Sequence, residues 1–290
     1  MSKKEKSKTK KKKSIKRKKA DINLDDLSNL SFEGMLSDMF GDVEGKTPLR
    51  KAQDIIYDAW EATDPKRRIE MARKALEISP DCADAYVLLA EETASSLPEA
   101  LHLYQQGVEA GEHALGREAF EEDVGHFWGI LETRPYMRAR AGLAECLWAA
   151  GKHEEAIKHY KEMLCLNPND NQGIRDLLLP RLIVSGRDKE AEALFREYED
   201  DGMASWMYSR ALLDFRKMGD SEISRKSLKV AVKKNKYVPA YLQGRKKMPQ
   251  FLPEYYSSGK ESEAIFYTKE NLEAWKETPG ALDWLLDQTK

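Results

Sequence analysis

The chain has 290 residues, 41% apolar and 34% charged, with a formal net charge of -2. That apolar share suffices for a continuous core, which excludes disorder throughout, and no run approaches the roughly 20 apolar residues a membrane-crossing helix needs. The near-neutral charge conceals a split: residues 1–20 hold 12 of the 48 Lys and Arg but one of the 50 Asp and Glu, leaving the tail near +11 and the rest near -13.

Residues 1–20 are almost entirely Lys, Ser, Thr and Arg, and cannot bury enough apolar surface to offset the entropy of ordering. A disordered lysine-rich tail is expected. Residues 21–46 form an acidic linker carrying Leu24, Leu27, Leu30, Phe32, Met35, Leu36, Met39 and Phe40 at helical spacing. An amphipathic helix there would either occupy a groove of the folded body in cis or cap its first helices. Within the linker, Gly41 to Thr47 reads GDVEGKT, one residue short of a Walker loop and with no apolar strand before it, so it reads as linker.

Residues 47–290 are expected to form one helical repeat domain. Thr47-Pro48 and Asp64-Pro65 each offer a capping side chain followed by a Pro in the first turn. They open a first helical pair, from about Pro48 to Ile78. A second pair runs from near Asp81 to about Leu115, turning at Ser95 to Pro98. Gly116 to Pro135 breaks the period and reads as an insertion. Further pairs are expected over Tyr136 to Leu166, Asn171 to Tyr198, Ala204 to Asn235 and Val238 to Trp275, with a capping helix over Pro279 to Leu286. The clearest sign of repetition is a self-match at an offset of 35 residues. Leu143, Leu147, Gly151, Glu155, Ala156 and Tyr160 recur as Leu178, Leu182, Gly186, Glu190, Ala191 and Phe195. That period is the length of a two-helix unit.

Leu143, Ala144, Ala156 and Tyr160, followed by Pro168, resemble the tetratricopeptide repeat; Arg140 and Ala144 depart from its usual aromatic and glycine. The resemblance implies an all-α fold, a right-handed α-solenoid of tetratricopeptide-like hairpins. A narrower resemblance rests on AYVLLAEE (Ala85 to Glu92), SEAIFY (Ser262 to Tyr267), LEAW (Leu272 to Trp275) and GALDWLL (Gly280 to Leu286). These are similar to the suppressor of tumorigenicity 7 family over roughly Ala72 to Leu286. That family implies helical repeats and no established catalytic residues. Its animal members carry membrane-spanning segments near the N-terminus, where this sequence has its lysine tail, so a shorter soluble relative is expected.

Cys82, Cys146 and Cys165 are odd in number, distant and set among helical apolar positions, so they read as buried thiols in a reducing compartment. No apolar segment of signal-peptide length follows the basic start, and a cytoplasmic location is expected. His102, His113, His126, His153 and His159 lack the pairing of a zinc helix, and no metal or cofactor is expected. Glu121, Glu122 and Asp123 beside His126 read as a solvated acidic loop.

The candidate partner-binding residues are Arg138, Glu145, Trp148, Glu91 and Glu92. By the tetratricopeptide resemblance, the first helix of each pair lines the concave face and points Arg138, Ala141, Glu145 and Trp148 at a ligand. The Lys and Asn of a carboxylate-gripping array are absent there. An exposed Trp148 would suit an apolar or helical peptide instead, while a Trp148 packed against the next pair is the competing reading. The expected function is a non-enzymatic scaffold or adaptor binding a protein or peptide in that groove. The alternative is a nucleic-acid-associated accessory factor using the basic tail for weak, salt-sensitive contact, though the tail has no aromatics to stack on bases.

Overall fold

In a computed structural model, the structure describes residues 33–34, 47–253 and 255–290. Thirteen helices and no strand occur among them. In chain order they are α1 (Pro48–Glu61), α2 (Pro65–Ile78), α3 (Ala83–Thr93), α4 (Leu97–Glu122), α5 (Arg134–Ala149), α6 (His153–Leu166) and α7 (Ile174–Val184). There follow α8 (Asp188–Glu197), α9 (Ala204–Met218), α10 (Glu222–Lys234), α11 (Val238–Leu242), α12 (Glu261–Lys276) and α13 (Ala281–Gln288).

Local chemistry sets the helix starts. The Thr47 hydroxyl accepts from the Arg50 amide at 3.2 Å, and Asp64 accepts from the Lys66 amide at 3.0 Å, each just ahead of a proline that gives up no useful hydrogen bond. Ser221 and Ser224 close a reciprocal capping box at α10. Most neighbouring helices pack directly on one another. A second layer of contacts joins alternate ones: α1 to α3, α3 to α5, α7 to α9 and α11 to α13. Beyond this, α12 packs on α7 as well as on α9.

The core divides in two. Ala52, Ile56, Trp60, Ala72, Ala75, Cys82 and Leu88 form a cluster belonging to α1–α3. The larger cluster runs from Val87 through Tyr136, Tyr160 and Tyr208 to Leu285.

Three expectations change. The second pair does not stop near Leu115: α4 continues to Glu122, broken only at Gly116, whose φ of 65° and ψ of 179° suit glycine alone. The stretch up to Pro135, read as an insertion, is a packed one. Phe127 and Trp128 are buried, and the Gly125 and Phe127 amides both donate to the Leu166 carbonyl, tying the stretch to the end of α6. Third, α11 is a single turn of 5 residues, because Gly244 takes a φ of 68° and Pro249 and Pro253 follow. The lysine tail, the linker and the GDVEGKT stretch lie outside the described residues, apart from Glu33, Gly34 and the capping Thr47.

Candidate functional site

Arg134 and Arg138 stand four residues apart on α5 and therefore share one face of that helix. Arg138 forms a two-pronged bond to Asp84 on α3, Nε to Oδ1 at 2.8 Å and Nη2 to Oδ2 at 2.5 Å. The Gln53 amide on α1 donates to the same carboxylate at 2.8 Å, which fixes its orientation. Arg134 spends its Nε on the Trp128 carbonyl at 2.8 Å. The remaining Nη1 of each arginine converges on Glu33, at 2.6 Å from Arg134 and 3.0 Å from Arg138.

Aromatic rings flank the pair. The Arg138 guanidinium lies 5.3 Å from the Trp60 ring and 5.9 Å from Trp128, and that of Arg134 lies 5.4 Å from Trp128. Asp84 and Glu33 are both 0% exposed, so their charges interact with little screening. Burial works against the Arg138 charge, but Asp84 and Glu33 outweigh it and hold its pKa above the usual value. Burial likewise raises the neighbouring Tyr57 hydroxyl. Chemically this is a seat for a carboxylate: Asp84 is a built-in partner for Arg138 alone, and the carboxylate that joins both guanidinium groups comes from a residue 101 positions before Arg134.

The other candidate residues fall elsewhere. Trp148 is 9% exposed, stacked on the His153 ring at 3.9 Å and covered by the Arg181 guanidinium at 5.0 Å. The exposed tryptophan anchor is therefore corrected: the chain has already packed this ring against the next pair. Glu145 is exposed as a residue but its carboxyl is crowded by neighbours: burial and then Glu270 of α12 push it up, while Arg181 and Lys269 act in the opposite sense. Arg181 pairs with Glu270 at 3.3 Å, so α12 meets α7 directly beside Trp148. Glu92 is engaged by Arg68 of α2, and half-buried Glu91 helps burial raise the Tyr104 hydroxyl. Arg138 thus stands apart from Glu145 and Trp148: the first belongs with α1 and α3, the others with α7 and α12.

Two further histidines have side-chain partners. His159 accepts from Arg140 Nε at 3.2 Å, and burial followed by the Arg140 charge lowers its pKa to about 4. His113 lies 2.8 Å from Asp81. Burial raises the Cys82 thiol to about 12 and the Cys146 thiol to about 11. Cys165 is exposed, contrary to its buried reading, and lines a hollow of about 780 Å³ with His113, Arg117, Phe120, Tyr136 and Arg140.

Residues 37–289 match the family model described as ST7 protein, the family of the suppressor of tumorigenicity 7 sequences. The chain belongs to the suppressor of tumorigenicity 7 family. The suppressor of tumorigenicity 7 protein-like sequences of Bos taurus and Homo sapiens are each 30% identical over 259 residues, covering 82% of this chain. That of Danio rerio is 28% identical over 276 residues, covering 89%. The alignments take in 46%, 45% and 47% of those three relatives, so this family member spans about half their length. No described helix of it is long and apolar enough to cross a membrane.

Sequence reasoning missed Glu33, Arg134, Trp60 and Trp128. It looked for the Lys and Asn of a carboxylate grip, whereas two arginines at helical i, i+4 spacing serve instead. A second omission is a local charge signal. Between 222 and 247 there are nine Lys or Arg and one Glu in an otherwise acidic body.

Proposed function

We propose that this suppressor of tumorigenicity 7 family member is a non-enzymatic scaffold, its helices stacked as a right-handed tetratricopeptide-like solenoid, which binds a partner protein on the face built by α1, α3 and α5. The contacts between alternate helices support the stacking. The observation that carries the function is the arginine pair between tryptophans. Asp84 neutralises one of the two positive charges, and among the described residues Glu33, from outside the helical array, is the only ion-pair partner of Arg134. A desolvated guanidinium with free donors is a recognition device, because its five N–H groups fit a carboxylate in two-pronged geometry. The up-shifted thiols of Cys82 and Cys146 fit binding better than chemistry, since the thiolate is the reactive form. Three unpaired cysteines fit a cytoplasmic setting.

The test is affinity capture from the cells that make the protein, comparing wild type with Arg134→Gln. The expected result is at least one protein retained by the wild type and depleted tenfold or more by the variant. Identical captured sets would remove the reading.

A second reading draws on the basic stretch. Arg225, Lys226, Lys229, Lys233 and Lys236 are exposed, and the loop that follows exposes Lys246, Lys247, Phe251 and Tyr255. Clustered cations with exposed rings suit single-stranded nucleic acid, which the lysine tail would reinforce. Titration of single-stranded RNA at two salt concentrations checks it: Lys229→Glu/Lys233→Glu should weaken binding and flatten its salt dependence. Equal binding by both proteins would eliminate this reading.

A further inference from the structure

The seat on α5 has an occupant, and the occupant reveals what it selects. Glu33 is 0% exposed although it lies in a short described stretch well before the first helix of the array. Its carboxylate takes Arg134 Nη1 and Arg138 Nη1 together, so neither guanidinium can turn to water while it is in place. The next residue matters too. A Cβ on Gly34 would stand 3.3 Å from Cβ of Tyr57 and 3.5 Å from its Cγ, so the occupant's backbone lies close against α1, where only a small residue fits without displacement. Both residues are helical.

Charge accounting points the same way. Arg50 of α1 faces Asp54 at 3.6 Å and Glu132 at 3.9 Å. Arg138 faces Asp84. Without Glu33, a partly buried Arg134 would keep one hydrogen bond to a carbonyl and no carboxylate among the described residues. A partly buried cation left in that state is costly, so the empty seat should have a strong preference for an anion.

We infer that the Arg134–Arg138 seat selects a helical peptide bearing a glutamate followed by a small residue, and that Glu33 and Gly34 fill the seat in cis until an acidic helix of a partner protein replaces them. The inference rests on the scaffold reading and supplies the chemistry of its partner. Gly34 and Pro48 are separated by 13 residues of the same chain, so Glu33 competes intramolecularly at a high effective concentration, on the order of millimolar. A peptide in trans therefore meets a seat that is free for only part of the time, and its apparent affinity falls by that fraction.

The probe is a fluorescein-labelled synthetic peptide of residues 25–42, titrated by fluorescence anisotropy into full-length wild type, Glu33→Gln, and Glu33→Gln combined with Arg134→Gln. Gln keeps the size of Glu and removes the charge, so Glu33→Gln weakens the cis contact without opening a cavity. The expected result is binding at least tenfold tighter to Glu33→Gln than to wild type, and at least a tenfold loss in the double variant. A peptide with Gln in place of its own glutamate should bind Glu33→Gln at least tenfold more weakly than the unaltered one. Equal affinity for wild type and Glu33→Gln, or equal binding by the two peptides, overturns the inference. Far-ultraviolet circular dichroism of each variant checks folding, and Arg134→Lys, which keeps the charge but not the fork, replaces Arg134→Gln if the latter unfolds. Should the peptide fail while capture remains sensitive to Arg134→Gln, the scaffold reading stands and the glutamate-helix partner is discarded.

Discussion

Asp176 carries a charge that its surroundings only half accommodate. The adjacent Arg175 spends its guanidinium on Asp170 at 3.0 Å and Asp201 at 2.8 Å, leaving Asp176 the Ser205 hydroxyl at 3.0 Å. Burial raises its carboxyl to about 6; Arg175 and Ser205 act against this, while Asp201 and Asp170 add to it. Because the folded pKa exceeds the ordinary 3.8, the folded chain holds the proton more tightly than the unfolded chain between about pH 4 and pH 6. Stability therefore declines as pH rises through that window, and the penalty is complete above it. Asp176→Asn keeps an acceptor for Ser205 and removes the charge. It should raise the melting temperature at pH 7.5, by a stabilisation on the order of 2 kcal/mol, and change little at pH 3.5. A wild type that melts higher than the variant at pH 7.5 would mean that the first turn of α7 compensates the carboxylate after all. The sequence shows Asp170, Asp176 and Asp201 but not that the first and last converge on Arg175 and leave Asp176 beside them. Arg138 was legible as a functional candidate by its position on α5, whereas the burial of Trp148 under Arg181 depends on two helices meeting in space.

Helices follow the sequence where local chemistry decides them. Thr47, Asp64 and Ser221 mark starts because a side-chain oxygen satisfies an amide that the first turn leaves unpaired, and the 35-residue echo marks α5–α8 because both copies bury the same apolar positions. The sequence misleads where tertiary contacts decide, as at residues 116–133, whose Phe127 packs against Phe120 and Tyr136 at ring separations of 5.2 and 6.1 Å. The close approach of α4 to α5 is another contact that periodicity cannot reveal. A Cβ added at Gly142 would fall 2.1 Å from Cε1 of Tyr104. Gly142→Ala would ordinarily favour an exposed helix, yet here the ring must move. The substitution should lower stability by about 1–3 kcal/mol in urea unfolding followed by circular dichroism. Tyr104→Leu in the same background should recover part of the loss, because the two sites share one volume. Unchanged midpoints for Gly142→Ala would show that Tyr104 has another place to go.

At the scale of the molecule, α13 closes the C-terminal end by packing on α9 and α12. Trp284 is stacked on Phe215 of α9 at 4.5 Å and donates its indole N–H to Asp220 at 2.9 Å, while Leu285 is 0% exposed. A chain whose helices touched only their neighbours would feel the loss of this cap locally. Here α12 packs on α7 as well as α9, so disturbance at the C-terminal end has a direct route to the middle of the chain. The apolar cluster of α1–α3 is separate and shares α3 as its boundary with the larger one. Trp284→Ala should therefore cost about 3–5 kcal/mol by removal of a buried indole. Hydrogen exchange followed by mass spectrometry should show faster exchange in α7, α9 and α12 together, with α1 and α2 unchanged. Faster exchange confined to α12 and α13 would mean that the α7 contact carries little energy, and faster exchange in α1 and α2 as well would mean that the two apolar clusters unfold as one. The outcome bears on binding. If α1–α3 unfolds independently, the arginine seat straddles the boundary between two cooperative units, and an acidic helix bound across Tyr57, Asp84 and Arg138 would stabilise their junction in proportion to its affinity.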